Sequence, residues 1–392
     1  MAENGALCAY SGLKTGREPK NSRLVKDKET EKLVNWNNHN LPIDPESASL
    51  IEQLAVDYIN HSDHCMVVDG YAGWDKNYRV KVRTFCTRTY HALFMRNMLI
   101  RPTEKELEED FSKGVDIQIF NAGEMNISKN IPGVTANMVT ALNLSQRRMT
   151  ILGTQFAGEM KKSVFKILQY YYPRKNILTL HSSATLNENG TTTLMCGLSA
   201  TGKTALGLRS DKRKIIGDDE TCWTNDGIFN IEGGCYAKII DLDRTIEPEI
   251  FNSIRYGSIV ENASFHPDSR SINFNDVSIT PNSRTSFPLN FLKNVNLPAV
   301  GPHPKNIIFL TCDTKGVLPP VAKLNHDQAY YQFLSGYTAK IGGTDLSAST
   351  PSSTFSSCFG EIFLPLHPTV YANMLIEKIK KHNVNVWLVN TG

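Results

Sequence analysis

One octapeptide constrains the fold more than any other feature. Gly197-Leu198-Ser199-Ala200-Thr201-Gly202-Lys203-Thr204 fits the pattern GxxxxGK[ST] and follows directly on the β-favouring run TTTLMC. Such a sequence demands a strand, a glycine turn and a helix in succession, because its backbone N–H groups converge on an anion only in that geometry. The octapeptide thus predicts a phosphate loop running from Gly197 into a helix that includes Ala205. Lys203 would reach the β- and γ-phosphates of a nucleotide, and the Thr204 hydroxyl would ligate Mg²⁺. The competing reading is a chance glycine turn before a helix.

Composition sets the bounds around this loop. At 392 residues the chain is long enough for two or three domains of roughly 100–200 residues each. Hydrophobic residues make up 41% and charged residues 21%, which excludes wholesale disorder. Lys+Arg number 42 against 39 Asp+Glu, a net +3. That is no basic excess, so no nucleic-acid partner is expected, and local residues must bind any anion. The start, MAENGALCAYSG, has neither a basic nor an apolar leader region, and no window of about 18 apolar residues occurs. The expectation is a cytoplasmic chain with no membrane partner. The eight cysteines form no CxxC pair, so buried thiols are expected rather than a zinc cluster or disulfide scaffold.

The first fifty residues are polar and read as a frayed arm or a binding loop. PESASLIEQLAVDYIN has apolar residues at helical spacing, HCMVVDGY and NYRVKVRTFC read as strands, and TYHALFMRNMLI and PTEKELEEDF as helices. VDIQIFNAG and RRMTILGT read as strands flanking a looser stretch, with GEMKKSVFKILQYYY as an amphipathic helix. From residue 178 short strands dominate: ILTLHSSAT, TTTLMC, KIIGDDE, GIFNIEG, AKIIDL, SINFND and NIIFLTCD. HDQAYYQFLSGYTAKI and HPTVYANMLIEKIKKHN then read as helices, before a final strand VNVWLVN. The pattern predicts an α/β chain in two parts, an N-terminal substrate-binding α/β domain over 1–177 and a β-rich phosphate-loop nucleotide-binding domain over 178–392.

Chemistry is concentrated near the loop. Asp218 and Asp219 follow the apolar KIIG, where a phosphate-loop enzyme holds its metal; period-2 alternation sends one of them into the site and the other elsewhere. Lys161-Lys162 and His181 are candidate cationic and metal-binding groups. Alone, however, a lysine pair is usually a solvated face and a strand histidine a core residue. Arg17 and Arg284 offer planar forks that suit carboxylate or phosphate, although most arginines are simply surface.

Taken together, ILGTQFAGEMKK, GLSATGKT, IGDDE, FNIEGGCYAK, EPEI, GVLPPV, FLSGYTAK and CFGEIFLPLHPT resemble the ATP-dependent phosphoenolpyruvate carboxykinases in order and spacing. The resemblance spans almost the whole chain. It implies a two-domain α/β enzyme that converts oxaloacetate and ATP to phosphoenolpyruvate, ADP and CO₂, using a site metal, usually Mn²⁺, and Mg²⁺ with ATP. By position it implies Lys162, His181 and Asp219 as metal ligands. A lysine ligates only as the neutral amine, so Lys162 must give up its ammonium proton. It further implies that Gly197 to Ala205, Asp218 and Glu247 meet the nucleotide, that Arg17 binds the substrate carboxylate, and that Arg284 reaches both substrate and γ-phosphate. Lys161 and Lys238 would stabilise the transferring phosphoryl, with Ser199 near the enolate.

Several positions depart from the family pattern. Phe156 stands where the family has tyrosine, removing a phenolic donor near the substrate. Ala200 replaces a loop glycine, a change costing roughly 1 kcal/mol if that position needs positive φ. TGREPKNSR departs from TGRSPKD, and Thr221 replaces a histidine. The resemblance also implies a longer chain, continuing past LVNTG through an arginine near the phosphates and much of the adenine pocket. Two alternatives remain at this stage: a truncated or degenerate paralogue that retains weak nucleotide and metal binding, and a generic phosphate-loop ATPase or small-molecule kinase.

Overall fold

A computed structural model describes residues 1–198, 201–208, 212–313, 315–340 and 352–391. Its strands form a seven-stranded sheet, a nine-stranded sheet, a four-stranded sheet and two short ribbons. The seven-stranded sheet lies wholly within the first 152 residues. In spatial order it runs Pro42–Ile43, Ser22–Val25, Val139–Asn143, Arg148–Leu152, Ile117–Ala122, Val80–Cys86 and Met66–Ala72. The helix Pro45–His61, capped by Asp44 on the Ser47 N–H, lays Ile51, Ala55 and Ile59 over Val25, Ile43, Val139 and Leu152.

Much of the first fifty residues is therefore neither frayed nor a free loop. Leu24 and Val25 are core residues, and Leu7–Ala9 pairs parallel with Ile259–Glu261 in the four-stranded sheet. That sheet is completed by Arg284–Pro288 and Gly234–Lys238. The strand read as AKIIDL thus lies earlier, on GCYAK. The stretch taken as loose contains the strand Val139–Asn143, with four of its five residues buried. A strand covered on both faces shows no alternation to read. The helix read through YTAK stops at Ser335. Gly336 caps it at φ +56, and Tyr337–Lys340 is a strand.

The nine-stranded sheet carries the phosphate-loop motif. Its ten-residue strand Leu178–Asn187 pairs along one edge with two short strands in succession, Arg213–Gly217 and Glu220–Trp223. Gly217 lies opposite Ala184 and Glu220 opposite His181, so Asp218 and Asp219 occupy the break between them. Along its other edge it pairs with Thr192–Cys196, which runs parallel to Pro304–Thr311.

The helix Gly158–Tyr171 packs on the first sheet and against Glu361–Phe363 from the C-terminal part. Twelve of its fourteen residues are buried, so it is a core helix rather than an amphipathic surface one. Among the described residues no helix is long and apolar enough to cross a membrane. All eight cysteines are free thiols, and six are buried.

Candidate active site

The lysine pair of that buried helix meets the break in the second sheet. Lys162 Nζ lies 2.6 Å from Asp219 Oδ2 and 2.8 Å from Glu220 Oε1. Lys161 Nζ lies 2.9 Å from Asp219 Oδ2 and 2.9 Å from Glu232 Oε1. His181 Nε2 approaches Asp219 Oδ1 at 2.9 Å, while its Nδ1 meets the Phe359 carbonyl at 2.7 Å. Lys161 is 5% exposed, so this is no solvated lysine face.

Burial and charge set the protonation states. Burial pushes the Asp219 carboxyl up, but Lys161, Lys162 and His181 outweigh it and hold the group well below its ordinary value. Burial pushes Lys161 down, yet Asp219, Glu232 and Glu220 raise it well above the usual lysine range. Burial, followed by the charge of Lys203, lowers His181 to about 4. Burial also raises Glu220, and raises Glu232 strongly.

A neutral His181 has one ring proton, while the Phe359 carbonyl and the ionised Asp219 carboxylate can both only accept. One ring nitrogen is thus left with its lone pair toward an acceptor, and with the proton on Nδ1 that nitrogen is Nε2, 2.9 Å from Asp219 Oδ1. Two acceptors in that position are reconciled by a cation between them. One oxygen each of Asp219, Glu220 and Glu232 also lies within 4.8 Å of the others. A donor set of imidazole, carboxylate and amine nitrogen suits a divalent metal ion.

The motif's strand ends at Cys196, and at Gly197 a Cβ would lie 2.4 Å from Thr201 Oγ1 and 3.0 Å from Leu310 Cβ, so no larger residue fits. Thr201 Oγ1 donates to the Leu198 carbonyl at 2.8 Å, Gly202 takes φ +99, and Lys203 opens the helix Lys203–Leu208. Lys203 Nζ donates to the Gly197 carbonyl at 2.6 Å. Burial lowers its pKa against the pull of Asp219 and Asp218. Ser199 and Ala200 lie outside the described residues, as do the side chains of Thr204 and Ala205.

Arg17 and Arg284 flank this cluster. Arg17 Nε pairs with buried Glu159 at 3.3 Å and its guanidinium lies over the Phe363 ring. The same ring faces Lys162 at 4.8 Å and His181 at 5.6 Å, so Arg17 shares a wall with the proposed metal ligands. Arg17 Nη1 is buried without a hydrogen-bond partner among the described residues, a donor suited to an anionic ligand. Arg284 pairs in register with Lys238 and lies 4.9 Å from the Tyr236 ring, which is also 5.9 Å from Lys161 Nζ and 6.2 Å from buried Phe156. None of these contacts includes Glu247, which precedes the helix Pro248–Ser253.

Sequence reasoning missed Glu220, Glu232, Glu159 and Phe363. The available signal was an acidic residue beside an apolar strand, in FNIEGG and IGDDE. It also missed Lys166, one turn beyond Lys162, which is buried and donates to the carbonyls of His39 at 3.0 Å and Ile362 at 3.3 Å.

The phosphoenolpyruvate carboxykinase family model matches residues 1–392. Proteins named phosphoenolpyruvate carboxykinase (ATP) from Neurospora crassa and Emericella nidulans are each 50% identical over 394 residues, covering 100% of this chain. One from Dictyostelium discoideum is 48% identical over 393 residues. This chain spans 64%, 65% and 70% of the length of those relatives. With every residue of the chain inside the match, it belongs to the phosphoenolpyruvate carboxykinase family.

Proposed function

We propose that this chain catalyses the ATP-dependent decarboxylation and phosphorylation of oxaloacetate, giving phosphoenolpyruvate, ADP and CO₂. The observation that carries this reading is the Asp219 carboxylate, gathered by Lys161, Lys162 and His181 beside the Lys203 loop. Lys162, His181 and Asp219 would hold Mn²⁺, with Thr204 toward Mg²⁺ on the nucleotide. When bound, the site metal supplies Lewis-acid stabilisation of the enolate oxygen.

The chain's own residues do the rest. Arg17, with a buried donor to spare, receives the substrate carboxylate and fixes the β-keto acid for C–C cleavage. That bond breaks, CO₂ leaves, and the electron pair settles on the enolate oxygen. This oxygen forms the new bond to the γ-phosphorus as the bond to the β-phosphate oxygen breaks. Such a transfer depends on in-line positioning and charge neutralisation more than on covalent chemistry. Lys203 clamps the β/γ-phosphates, while Arg284, Lys238 and Lys161 offset charge on the moving phosphoryl. Family resemblance supports Ser199 near the enolate and Glu247 near the nucleotide. It also supports the division at residue 177, although Leu7–Ala9 joins a sheet of the second part. The reading places the enzyme in the cytoplasm, with no nucleic-acid or membrane partner.

The test is ATP consumption with and without oxaloacetate, under Mn²⁺ and Mg²⁺. Equimolar phosphoenolpyruvate and ADP, formed only with oxaloacetate, is the expected result; equal ATP hydrolysis without it would favour a generic ATPase.

A pH dependence follows from Lys238. Burial, followed by the charge of Arg284, lowers its pKa to about 8. Its cation is therefore present below about pH 8 and lost above, so kcat/KM for ATP should fall on the alkaline side. Lys238→Arg, which stays charged, should move that fall to higher pH in a pH–rate profile. An unchanged alkaline limb would remove Lys238 from the phosphoryl site.

A further inference from the structure

Beside Arg284 in the four-stranded sheet lies a buried carboxyl group. Glu261 is 1% exposed, sits on the strand Ile259–Glu261 and pairs in register with Arg284. Its Oε1 contacts the Tyr90 hydroxyl and its Oε2 the Tyr236 hydroxyl. The Ala157 N–H lies 3.0 Å from the Tyr90 hydroxyl oxygen and 3.3 Å from Glu261 Oε1. The Tyr90 hydroxyl also lies 2.7 Å from the Gln155 carbonyl.

Counting protons decides what this cluster is. The Gln155 carbonyl can only accept, so the single Tyr90 proton is committed to it. The Tyr90–Glu261 contact then needs a proton that Tyr90 no longer has. Were Glu261 ionised, either that contact or the one to Gln155 would set two bare acceptors against each other. With a proton on Oε1 every contact is satisfied: Glu261 donates to Tyr90, Tyr90 donates to Gln155, Ala157 donates to Tyr90, and Tyr236 donates to Oε2. Burial pushes the Glu261 carboxyl up, against the hydrogen bonds of Tyr236, Tyr90 and Ala157 and the charge of Arg284, which favour ionisation.

We propose that Glu261 is held as a neutral carboxylic acid and acts as a positioning residue, fixing the Tyr236 ring under Arg284 and the start of the lysine-bearing helix. Tyr236 puts its ring face 4.9 Å from the Arg284 guanidinium, and Phe94 holds it edge-on at 5.0 Å. Ala157 immediately precedes the helix Gly158–Tyr171, so the same carboxyl links Lys161 and Lys162 to Arg284 through side chains rather than sequence. The protonation claim stands without the proposed reaction; the kinetic consequence rests on it.

Two measurements test the proposal. Infrared difference spectroscopy of the unmodified protein against Glu261→Gln at neutral pH should show a protonated-carboxyl carbonyl band that the variant lacks. In kinetics, Glu261→Gln keeps one donor for Tyr90 and one acceptor for Tyr236, so kcat/KM for oxaloacetate should stay near the unmodified value. Glu261→Leu and Tyr236→Phe each break the chain and should cost about 10–100-fold, as losses of orienting partners do. An ionised-carboxylate band in place of the protonated one overturns the protonation claim. A Gln variant as impaired as the Leu variant, or as Tyr236→Phe should Leu not fold, overturns the positioning role. Absence of oxaloacetate turnover in the unmodified protein would count against the proposed reaction and leave the infrared result to decide the protonation.

Discussion

Asp219→Asn is expected to weaken Mn²⁺ binding by about 100-fold or more and to abolish oxaloacetate-dependent phosphoenolpyruvate formation. Loss of a residue that merely orients a metal ligand costs 10–100-fold, and Asp219 is proposed as a ligand itself. Its carboxylate is also the point on which Lys161, Lys162 and His181 converge. The variant should nevertheless fold, because Lys161 keeps Glu232 and Lys162 keeps Glu220. It should be less stable. The folded-state pKa of Asp219 is depressed, so its contribution is present above the unfolded value of about 4 and is lost as pH falls. Thermal unfolding at pH 7 should show a lower Tm for the variant, with the gap closing in acid. An Mn²⁺ titration by electron paramagnetic resonance with unchanged affinity in Asp219→Asn would remove this residue from the ligand set.

The second large effect is at the loop. Lys203→Ala should lower kcat/KM for ATP by about 10²–10³-fold, the usual loss when one preorganised donor to developing charge is removed. Lys203 is buried, and its Nζ already turns back onto the loop at the Gly197 carbonyl. It is therefore held against the start of the motif at Gly197 instead of swinging in from solvent. Mn²⁺ binding at Asp219 should survive this change, which separates the two variants. The charge of Lys203 also helps to hold His181 down, so the histidine pKa should rise from about 4 in the variant. Histidine NMR titration reads that shift, and calorimetry reads the lost ATP affinity. Undiminished ATP binding in Lys203→Ala would leave the octapeptide as a structural turn.

Much of this site was legible in sequence because its parts are local. GLSATGKT after TTTLMC specifies strand, turn and helix, and IGDDE places two carboxylates at a strand end. What the sequence could not display is the company these residues keep. Lys161-Lys162 resembles a solvated face until the helix is seen buried on nearly every side. Glu232 and Glu220 become partners of the lysines only through the pairing of distant strands, and Tyr90, Glu261 and Tyr236 meet across separations of 25 and 171 residues. Other misses had local causes. Val139–Asn143 is a strand covered on both faces, so no period-2 signal survives. Tyr337–Lys340 continues a helix-like pattern in sequence, but Gly336, a residue suited to end a helix, separates it as a strand. The polar first fifty residues hid Leu24 and Val25 within a charged context, where composition outweighs two core side chains.

Calorimetry in buffers of different ionisation enthalpy counts the protons released when Mn²⁺ binds at pH 7, and so tests Lys162, His181 and Asp219 as the seat of that cation. Asp219 is held ionised and His181 neutral, whereas Lys162 Nζ lies against two carboxylates and can ligate only as the proton-free amine. About one proton per Mn²⁺ should be released, from Lys162, and the release should disappear in Lys162→Met. Stoichiometric Mn²⁺ binding with no proton release, or the same release in Lys162→Met, would remove Lys162 from the ligand set.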